Sequence, residues 1–259
     1  MEKSNIKTID FLIPCHPKDF PSLIMSVNGI KKNISSLNKI FVVSCDNPNI
    51  EEVIHIPEER YYSFIDKNKI KKIYSLKNPN LIHRSKWIYQ QFLKLYSAKV
   101  VPELTDSYVI VDADTIFLND VSFDIDKFYF CKSEEYHKPY LEPIKKLLDI
   151  EDTIGFSTIC HHMIFNKQKL NEMISIVEKK YNSQSFFDCV LSILDYAEAS
   201  CMSEWDLYSN YMILNYPEMC VQRQLNWTDI HSIPSSSLLN SLKDEYDFVS
   251  CHAYLRGVE

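Results

Sequence analysis

The apolar residues in the first part of the chain form short continuous runs separated by a segment of helical spacing. The run at 8–15 (TIDFLIPC) is followed by prolines and predicts a buried strand. Helical spacing over 21–34 predicts a helix, and the run at 39–44 (KIFVVS) predicts a second strand. Strand, helix and strand in this order predict a βαβ unit with parallel strands.

Three further elements are predicted up to residue 118. Residues 70–76 are predicted to form a third strand, and residues 87–100 a helix with one apolar stripe. Residues 108–118 (YVIVDADTIFL) form the most apolar predicted strand and carry two aspartates.

The pattern becomes less regular after residue 120. The predicted elements there are strands at 128–132, 162–165 and 248–255 and helices near 169–181, 186–199 and 203–214. We therefore expect one α/β domain over 1–259 around a central sheet, with a Rossmann-type βαβ half at 1–118 and a mixed α/β half at 119–259. Ligands of such sheets bind beyond the carboxyl ends of the strands, where the strand order reverses.

Glycine content excludes several phosphate-binding and catalytic loops. The chain has three glycines, Gly29, Gly155 and Gly257, and they are far apart. A dinucleotide-binding G-x-G-x-x-G loop, a P-loop and a nucleophile elbow each need at least two glycines close together. A phosphate site in this protein would need a different chemistry.

The charge and the cysteine content limit the partners that the protein is expected to bind and the cellular compartment in which it is expected to work. The formal net charge of −7 argues against nucleic acid as a partner. We find no apolar run typical of a signal peptide or a transmembrane segment. The eight cysteines include no C-x-x-C pair, which favours free thiols in a reducing compartment. We expect a protein of the cytoplasm.

Two carboxylates stand near the end of the predicted strand 108–118. In a strand, Asp112 and Asp114 would project to the same side, with the small side chain of Ala113 between them. Two adjacent carboxylates repel each other, and oxygen ligands suit Mg²⁺ or Mn²⁺. The pair therefore predicts a divalent cation site, although two aspartates could also simply cap the turn after the strand.

Several motifs of the sequence resemble those of a known enzyme family. YVIVDADTIFL after a βαβ half resembles the GT-A fold of nucleotide-sugar-dependent glycosyltransferases with a D-x-D motif. Together with HRSKWIYQQFLKL at 83–95, HHMIF at 161–165 and SEWDLYSNY at 203–211, it is similar to a bacterial and viral group of predicted glycosyltransferases. That group is catalogued largely as a domain of unknown function.

The resemblance implies a donor site. Asp112 and Asp114 would hold Mn²⁺ or Mg²⁺ on the diphosphate of a nucleotide-sugar donor, with Asp114 as the direct ligand. His252 matches the position of a late metal-binding histidine, although a histidine in a terminal strand could instead be half-buried and hydrogen-bonded. The other donor-binding residues that the resemblance implies are Pro14, Cys15, His16, Asp46 and Ala113.

Several polar residues lie at or in the predicted helix 87–100. Arg84 and Lys86 precede it, and the N-terminus of a helix attracts anions. They and Lys94 could neutralise a diphosphate leaving group, with Gln90 or Gln91 adding hydrogen bonds. Each of these residues could also be ordinary surface.

Two acids begin the predicted helix 203–214. Ser203 and Asp206 nearly form a capping box, which gives Asp206 a structural task. Glu204 does not cap in this way and is our first candidate for the general base that deprotonates an acceptor hydroxyl, with Asp206 second. Glu204 could also be an acid favoured by the helix dipole alone.

The neighbours Cys160, His161 and His162 suggest zinc at first sight. Adjacent residues in an extended segment point to opposite faces, so the two histidines do not easily share one ion. We expect one of them, His162, to contact the acceptor or the diphosphate, unless it is an ordinary buried histidine.

These features lead to three hypotheses. The first is a metal-dependent glycosyltransferase that moves a hexose from a nucleotide-diphosphate donor to a hydroxyl on a glycan, lipid-linked or protein acceptor, with inversion through a carboxylate base. The second is a haloacid-dehalogenase-type phosphatase with Asp112 as nucleophile, although Thr115 follows Asp114 directly where that motif has one intervening residue. The third is a non-catalytic sugar-binding module. Retention of configuration is an alternative to inversion, and the protein could form a homo-oligomer.

Overall fold

The computed structural model describes residues 7–134, 136–182, 184–253 and 255–257. The strands are β1 (Ile9–Pro14), β2 (Leu37–Ser44), β3 (Val53–Pro57), β4 (Ser107–Val111), β5 (Thr115–Phe117), β6 (Phe128–Phe130), β7 (His162–Asn166), β8 (Cys220–Gln222), β9 (Trp227–Asp229) and β10 (Phe248–Ser250). The α-helices are α1 (Phe20–Asn33), α2 (Lys67–Lys77), α3 (Ser85–Leu95), α4 (Ser97–Val100), α5 (Leu141–Leu148), α6 (Lys167–Lys180), α7 (Phe186–Ile193), α8 (Glu204–Asn215) and α9 (Ser236–Leu242).

A five-stranded sheet in the order β3-β2-β1-β4-β7 forms the centre of the α/β fold. Its strands are parallel except β7, which runs antiparallel to β4. Helices and loops cover both faces, so β1 and β4 are buried along their whole length and read as continuous apolar runs. The order reverses between β1 and β4, which makes the carboxyl ends of these two strands the switch point where a ligand is expected.

The predicted β1-α1-β2 unit is present, and α1 packs closely on β5. A Cβ atom added at Gly29 would lie 2.8 Å from the Phe117 carbonyl oxygen. A larger residue at this position would push the helix away from the strand. The glycine at this position therefore allows α1 to pack directly against β5.

Two predicted strands are wrong. Residues 70–76 lie in α2, where Ile70 and Tyr74 are buried four positions apart on one helix face. The third strand of the sheet is Val53–Pro57, which is short and only partly buried and therefore had a weak apolar signal. Residues 108–118 do not form one strand, because the chain turns at Asp112–Asp114 and β5 leaves the central sheet.

Two small sheets, built mainly from residues of the second half, were not predicted. One has the order β5-β10-β9 and the other pairs β6 with β8. The predicted terminal strand 248–255 ends at Ser250, so His252 lies in the segment after it. Among the described residues, no helix combines the length and apolarity needed to cross a membrane.

Candidate metal and donor site

The D-x-D turn lies at the carboxyl end of β4 and is fixed by backbone hydrogen bonds. The Asp112 N–H donates to the His161 carbonyl oxygen at 2.9 Å, and the Cys251 N–H donates to the Asp114 carbonyl oxygen at 3.0 Å. These two bonds tie the turn to the segments before β7 and after β10. His161 and His252 are thereby placed beside the two aspartates.

Four side chains meet at this turn, and we call Asp114, His161, Asp229 and His252 the histidine–carboxylate cluster. His252 Nδ1 lies 3.0 Å from Asp114 Oδ2, and His252 Nε2 lies 3.3 Å from Asp229 Oδ1. The ring centroids of His161 and His252 are 4.6 Å apart. His161, Asp229 and His252 each offer a ligand atom within 4.8 Å of the other two, a spacing that one metal ion can bridge.

The cluster fits a divalent cation. Asp114 Oδ1 and His161 Nε2 are buried and have no hydrogen-bond partner within the described ranges. Leaving buried polar atoms unpaired costs free energy, and a cation bound between these two atoms would remove that cost. Imidazole and carboxylate together suit Mn²⁺ or another transition-metal dication better than Mg²⁺, which prefers oxygen ligands.

The two carboxylates of the cluster also favour a positive charge between them. Burial lowers the pKa of His252, but the adjacent carboxylates of Asp114 and Asp229 outweigh it and raise this pKa to about 10. The imidazolium therefore supplies the positive charge that the two carboxylates require. A bound dication would supply that charge instead and displace a proton.

A buried lysine connects the D-x-D turn to the predicted base. Lys94 Nζ lies 2.5 Å from Asp112 Oδ1 and 2.5 Å from Glu204 Oε1, and 4.1 Å from the centre of the Trp205 ring. The side chain of Lys94 is 4% exposed and that of Glu204 is 5% exposed. Because His161 Nδ1 is also 3.5 Å from Asp112 Oδ2, Asp112 sits between the lysine and the cluster.

The three buried charges shift one another's ionisation. Burial lowers the pKa of Lys94, but the charges of Asp112 and Glu204 outweigh it and raise that pKa. Burial raises the pKa of Asp112, but Lys94 and His161 outweigh it, so its pKa lies below the usual range. The pKa of Glu204 is raised by burial despite the opposing charge of Lys94. Asp112 is thus a fixed anion, whereas Glu204 is a stronger base than an exposed glutamate.

The two predicted catalytic acids have different surroundings. The Ser203 side chain caps α8 by accepting from the Asp206 N–H, as predicted, and Glu204 is the first helical residue. The Asp206 carboxylate accepts hydrogen bonds from Ser157 Oγ and from the N–H of Thr158. Asp206 therefore holds the segment that leads to His161, while Glu204 reaches Lys94.

The predicted nucleoside-binding residues lie at the same edge of the sheet. Pro14 ends β1, and the Cys15 N–H continues the ladder by donating to Val43 O. Burial raises the pKa of the Cys15 thiol, and the charge of Asp114 adds to this. Burial also lowers the pKa of His16, with Lys86 contributing.

The charge of Asp46 acts on the same His16 ring in the opposite direction to that of Lys86. Lys86 and Asp46 are both exposed, as is His16. The edge beyond β1 and β2 therefore carries accessible polar groups of both signs. Ala113, between the two aspartates, is buried.

Arg84, before α3, and Gln91, on α3, were both predicted to bind the donor, and they differ in their contacts. Arg84 donates to Ala199 O and Ser200 Oγ, so the structure places it against the 199–200 segment. Gln91 is 2% exposed, and neither of its amide atoms has a partner in the described part of the chain. It precedes Lys94 by three positions and therefore shares its face of the helix.

The adjacent histidines do point apart, and His161 is the one that joins the cluster. His162 is buried among Phe117, Phe123 and Phe248, with Nδ1 hydrogen-bonded to Cys160 O and Nε2 to Arg223. The structure does not bring His162 into the cluster, and a substrate contact there would require these bonds to break. Burial lowers its pKa well below the usual range, so the ring is neutral.

Sequence reasoning gave His161 no role of its own and missed Asp229 altogether. His161 has a backbone φ of 60°, which turns its side chain toward Asp112 just before β7 begins. Asp229 ends β9, a three-residue strand whose apolar signal is too short to recognise. The alternation of Trp227 and Asp229 is the one signal that could have indicated it.

Comparisons with known proteins place the chain in a family. The model of the family of unknown function DUF6492 matches residues 23–241. No curated protein matches the chain. Among solved structures, the chain is similar to the galactosyltransferase LgtC in complex with donor and acceptor sugar analogues, with 11% identity and a TM-score of 0.49 over 94% of this chain and 87% of that one.

Proposed function

The chain belongs to DUF6492, a family of unknown function, and we propose that it is a metal-dependent glycosyltransferase using a nucleotide-diphosphate sugar. One observation carries the proposal: the histidine–carboxylate cluster lies at the switch point between β1 and β4, directly beside Lys94 and Glu204. A dication in the cluster would provide positive charge for a diphosphate, because the charge of Lys94 is already paired with Asp112 and Glu204. A buried glutamate beside them matches the need for a base.

The cluster would hold the metal ion. Asp114, His252 and His161 would hold the cation, with Asp229 as a fourth ligand or as the partner that orients His252. A dication bound there would neutralise the negative charge of the departing diphosphate. Asp112, predicted from the sequence as a second metal ligand, would instead pair with Lys94, whose positive charge it shares with Glu204.

Donor and acceptor would meet at Glu204. Cys15, His16 and Asp46 at the ends of β1 and β2 would contact the nucleoside. The buried amide of Gln91, which has no partner among the described residues, would bind the sugar or the diphosphate. Glu204 takes the proton from the acceptor hydroxyl as its oxygen attacks the anomeric carbon from the face opposite the diphosphate. The bond between the anomeric carbon and the diphosphate oxygen breaks, and the configuration is inverted. The acceptor hydroxyl belongs to a glycan, a lipid-linked sugar or a protein. All eight cysteines are unpaired, which fits action in the cytoplasm.

Thermal unfolding with UDP-, GDP- and dTDP-sugars, with and without Mn²⁺, tests the proposal. Stabilisation should require nucleotide and metal together and reach about 2.7 kcal/mol at a hundredfold excess over the dissociation constant. Asp114→Asn should abolish the effect, whereas Asp120→Asn, an exposed aspartate beyond β5, should keep it. Proton NMR of the product then reads inversion or retention directly.

The phosphatase hypothesis makes the opposite prediction. It requires Asp112 to attack phosphorus, while the structure holds both Asp112 oxygens near Lys94 and His161. Hydrolysis of a phosphorylated substrate without any nucleotide-sugar effect on unfolding would favour the phosphatase and overturn the transferase.

A further inference from the structure

A groove beside the histidine–carboxylate cluster has the chemistry of a saccharide site. It has a volume of about 590 Å³, within the usual range for ligand sites. Six of its lining residues carry the argument, and they are Lys132, Glu134, Asn226, Trp227, Glu245 and Tyr246. From this groove we infer that the acceptor is a neutral saccharide. This inference rests on the proposed transferase function.

The groove is connected to the cluster through Trp227. The Trp227 and His161 ring centroids are 4.7 Å apart, and the rings are nearly perpendicular. Trp227 and Asp229 are two positions apart on β9, so their side chains project from the same side of the strand. A ligand in the groove is therefore next to the cluster that would hold the donor diphosphate.

Both walls of the groove are tied to the catalytic segments. On one side, the Ser133 N–H donates to Ser157 O, and the Ser157 hydroxyl is held by Asp206. On the other side, the Asn226 N–H donates to Asp247 Oδ2 and β9 pairs with β10. The walls are thus held by the same segments that position His161 and His252.

The charges of the groove select its ligand. Glu134 and Glu245 outnumber Lys132, so an anion such as a second diphosphate is disfavoured. Carboxylates accept hydrogen bonds from hydroxyl groups, and the Asn226 amide both donates and accepts. Trp227 and Tyr246 offer flat apolar surface with a polar edge. A neutral, hydroxyl-rich ligand satisfies all of these groups.

Saturation-transfer NMR on the full chain, without metal or nucleotide, tests the inference. Lactose and maltose should bind with millimolar dissociation constants, and sialyllactose at least about tenfold more weakly. Glu245→Gln should weaken lactose and maltose by about tenfold, whereas Glu142→Gln, an exposed glutamate on α5, should not. Trp227→Ala should weaken them too, with Trp227→Phe retaining part of the affinity.

The outcomes separate this inference from the proposed function. The saccharide inference is overturned if neither lactose nor maltose binds, or if both bind equally well to Glu245→Gln and Trp227→Ala. If both sugars bind as expected but no combination of a nucleotide sugar with Mn²⁺ stabilises the protein, the transferase proposal fails. The groove would then still be a binding site for neutral saccharides.

Discussion

Asp114 and His252 are 138 positions apart in the chain, yet Asp114 Oδ2 lies 3.0 Å from His252 Nδ1. The contact follows from the pairing of β5 with β10 and from the hydrogen bond between the Cys251 N–H and the Asp114 carbonyl oxygen. Asp229 approaches the other nitrogen of the same ring at 3.3 Å. One imidazole is thus held between two carboxylates. A metal ion would have to replace the proton on one of its nitrogens, while the carboxylate at the other nitrogen fixes the orientation of the ring.

Replacing Asp229 should weaken metal binding. We expect Asp229→Asn to lower Mn²⁺ affinity by roughly 10–100-fold, because it removes a negative charge and loosens His252. Electron paramagnetic resonance of free Mn²⁺ during a titration measures the change. Asp244→Asn, an exposed acid between α9 and β10, is the matched control. Equal affinities in the two variants would show that Asp229 takes no part in metal binding.

The base assignment predicts the acid limb of the rate profile. A general base works when deprotonated, so kcat/KM should fall as the pH falls through the pKa of Glu204. Burial raises that pKa above its usual value of 4.5, so the limb should lie at a higher pH than that of an exposed glutamate. In Glu204→Gln the limb should vanish with most of the activity. A wild-type limb at or below pH 4.5 would argue against Glu204.

Long local patterns predicted four elements of the first half, although the strand predicted at 108–118 was too long. β1, α1, β2 and β4 each carry a continuous apolar run or a helical stripe, because both faces of the sheet are buried. α2 was mistaken for a strand because its short stretch of isoleucine, tyrosine and leucine among lysines fits both the helical and the strand period. Short elements such as β9 owe their structure to pairing with distant residues, which a local pattern does not record.

The candidate site was predicted in the same uneven way. Asp112, Asp114, Lys94 and Glu204 were predicted from their motifs, and the structure brings all four to one place. Their mutual contacts were not foreseen, since a salt bridge across 110 positions depends on how α3 and α8 pack. His161 was not distinguished from its neighbour because its backbone angle is set by the turn before β7.

Lys94 should matter for stability as well as for chemistry. Lys94→Met leaves Asp112 and Glu204 without the cation between them, and breaking a buried ion pair costs about 3–5 kcal/mol. Urea unfolding should show this loss. The double variant Lys94→Met, Glu204→Gln should be more stable than Lys94→Met alone, because it removes one of the unpaired charges. If the double variant were no more stable, Glu204 would not carry an uncompensated buried charge in Lys94→Met.

Gln91 offers a test in which stability and binding should separate. Both of its amide atoms are buried without a partner among the residues described, so an apolar side chain of similar length removes an energetic cost. We expect Gln91→Met to unfold at the same or a higher temperature than the wild type, yet to bind the nucleotide sugar and Mn²⁺ about tenfold more weakly. Gln90→Met, on a neighbouring and less buried position of α3, should leave donor affinity unchanged. Calorimetric titration measures both affinities. Unchanged donor affinity in Gln91→Met would assign the buried amide to the protein interior and remove it from the donor site.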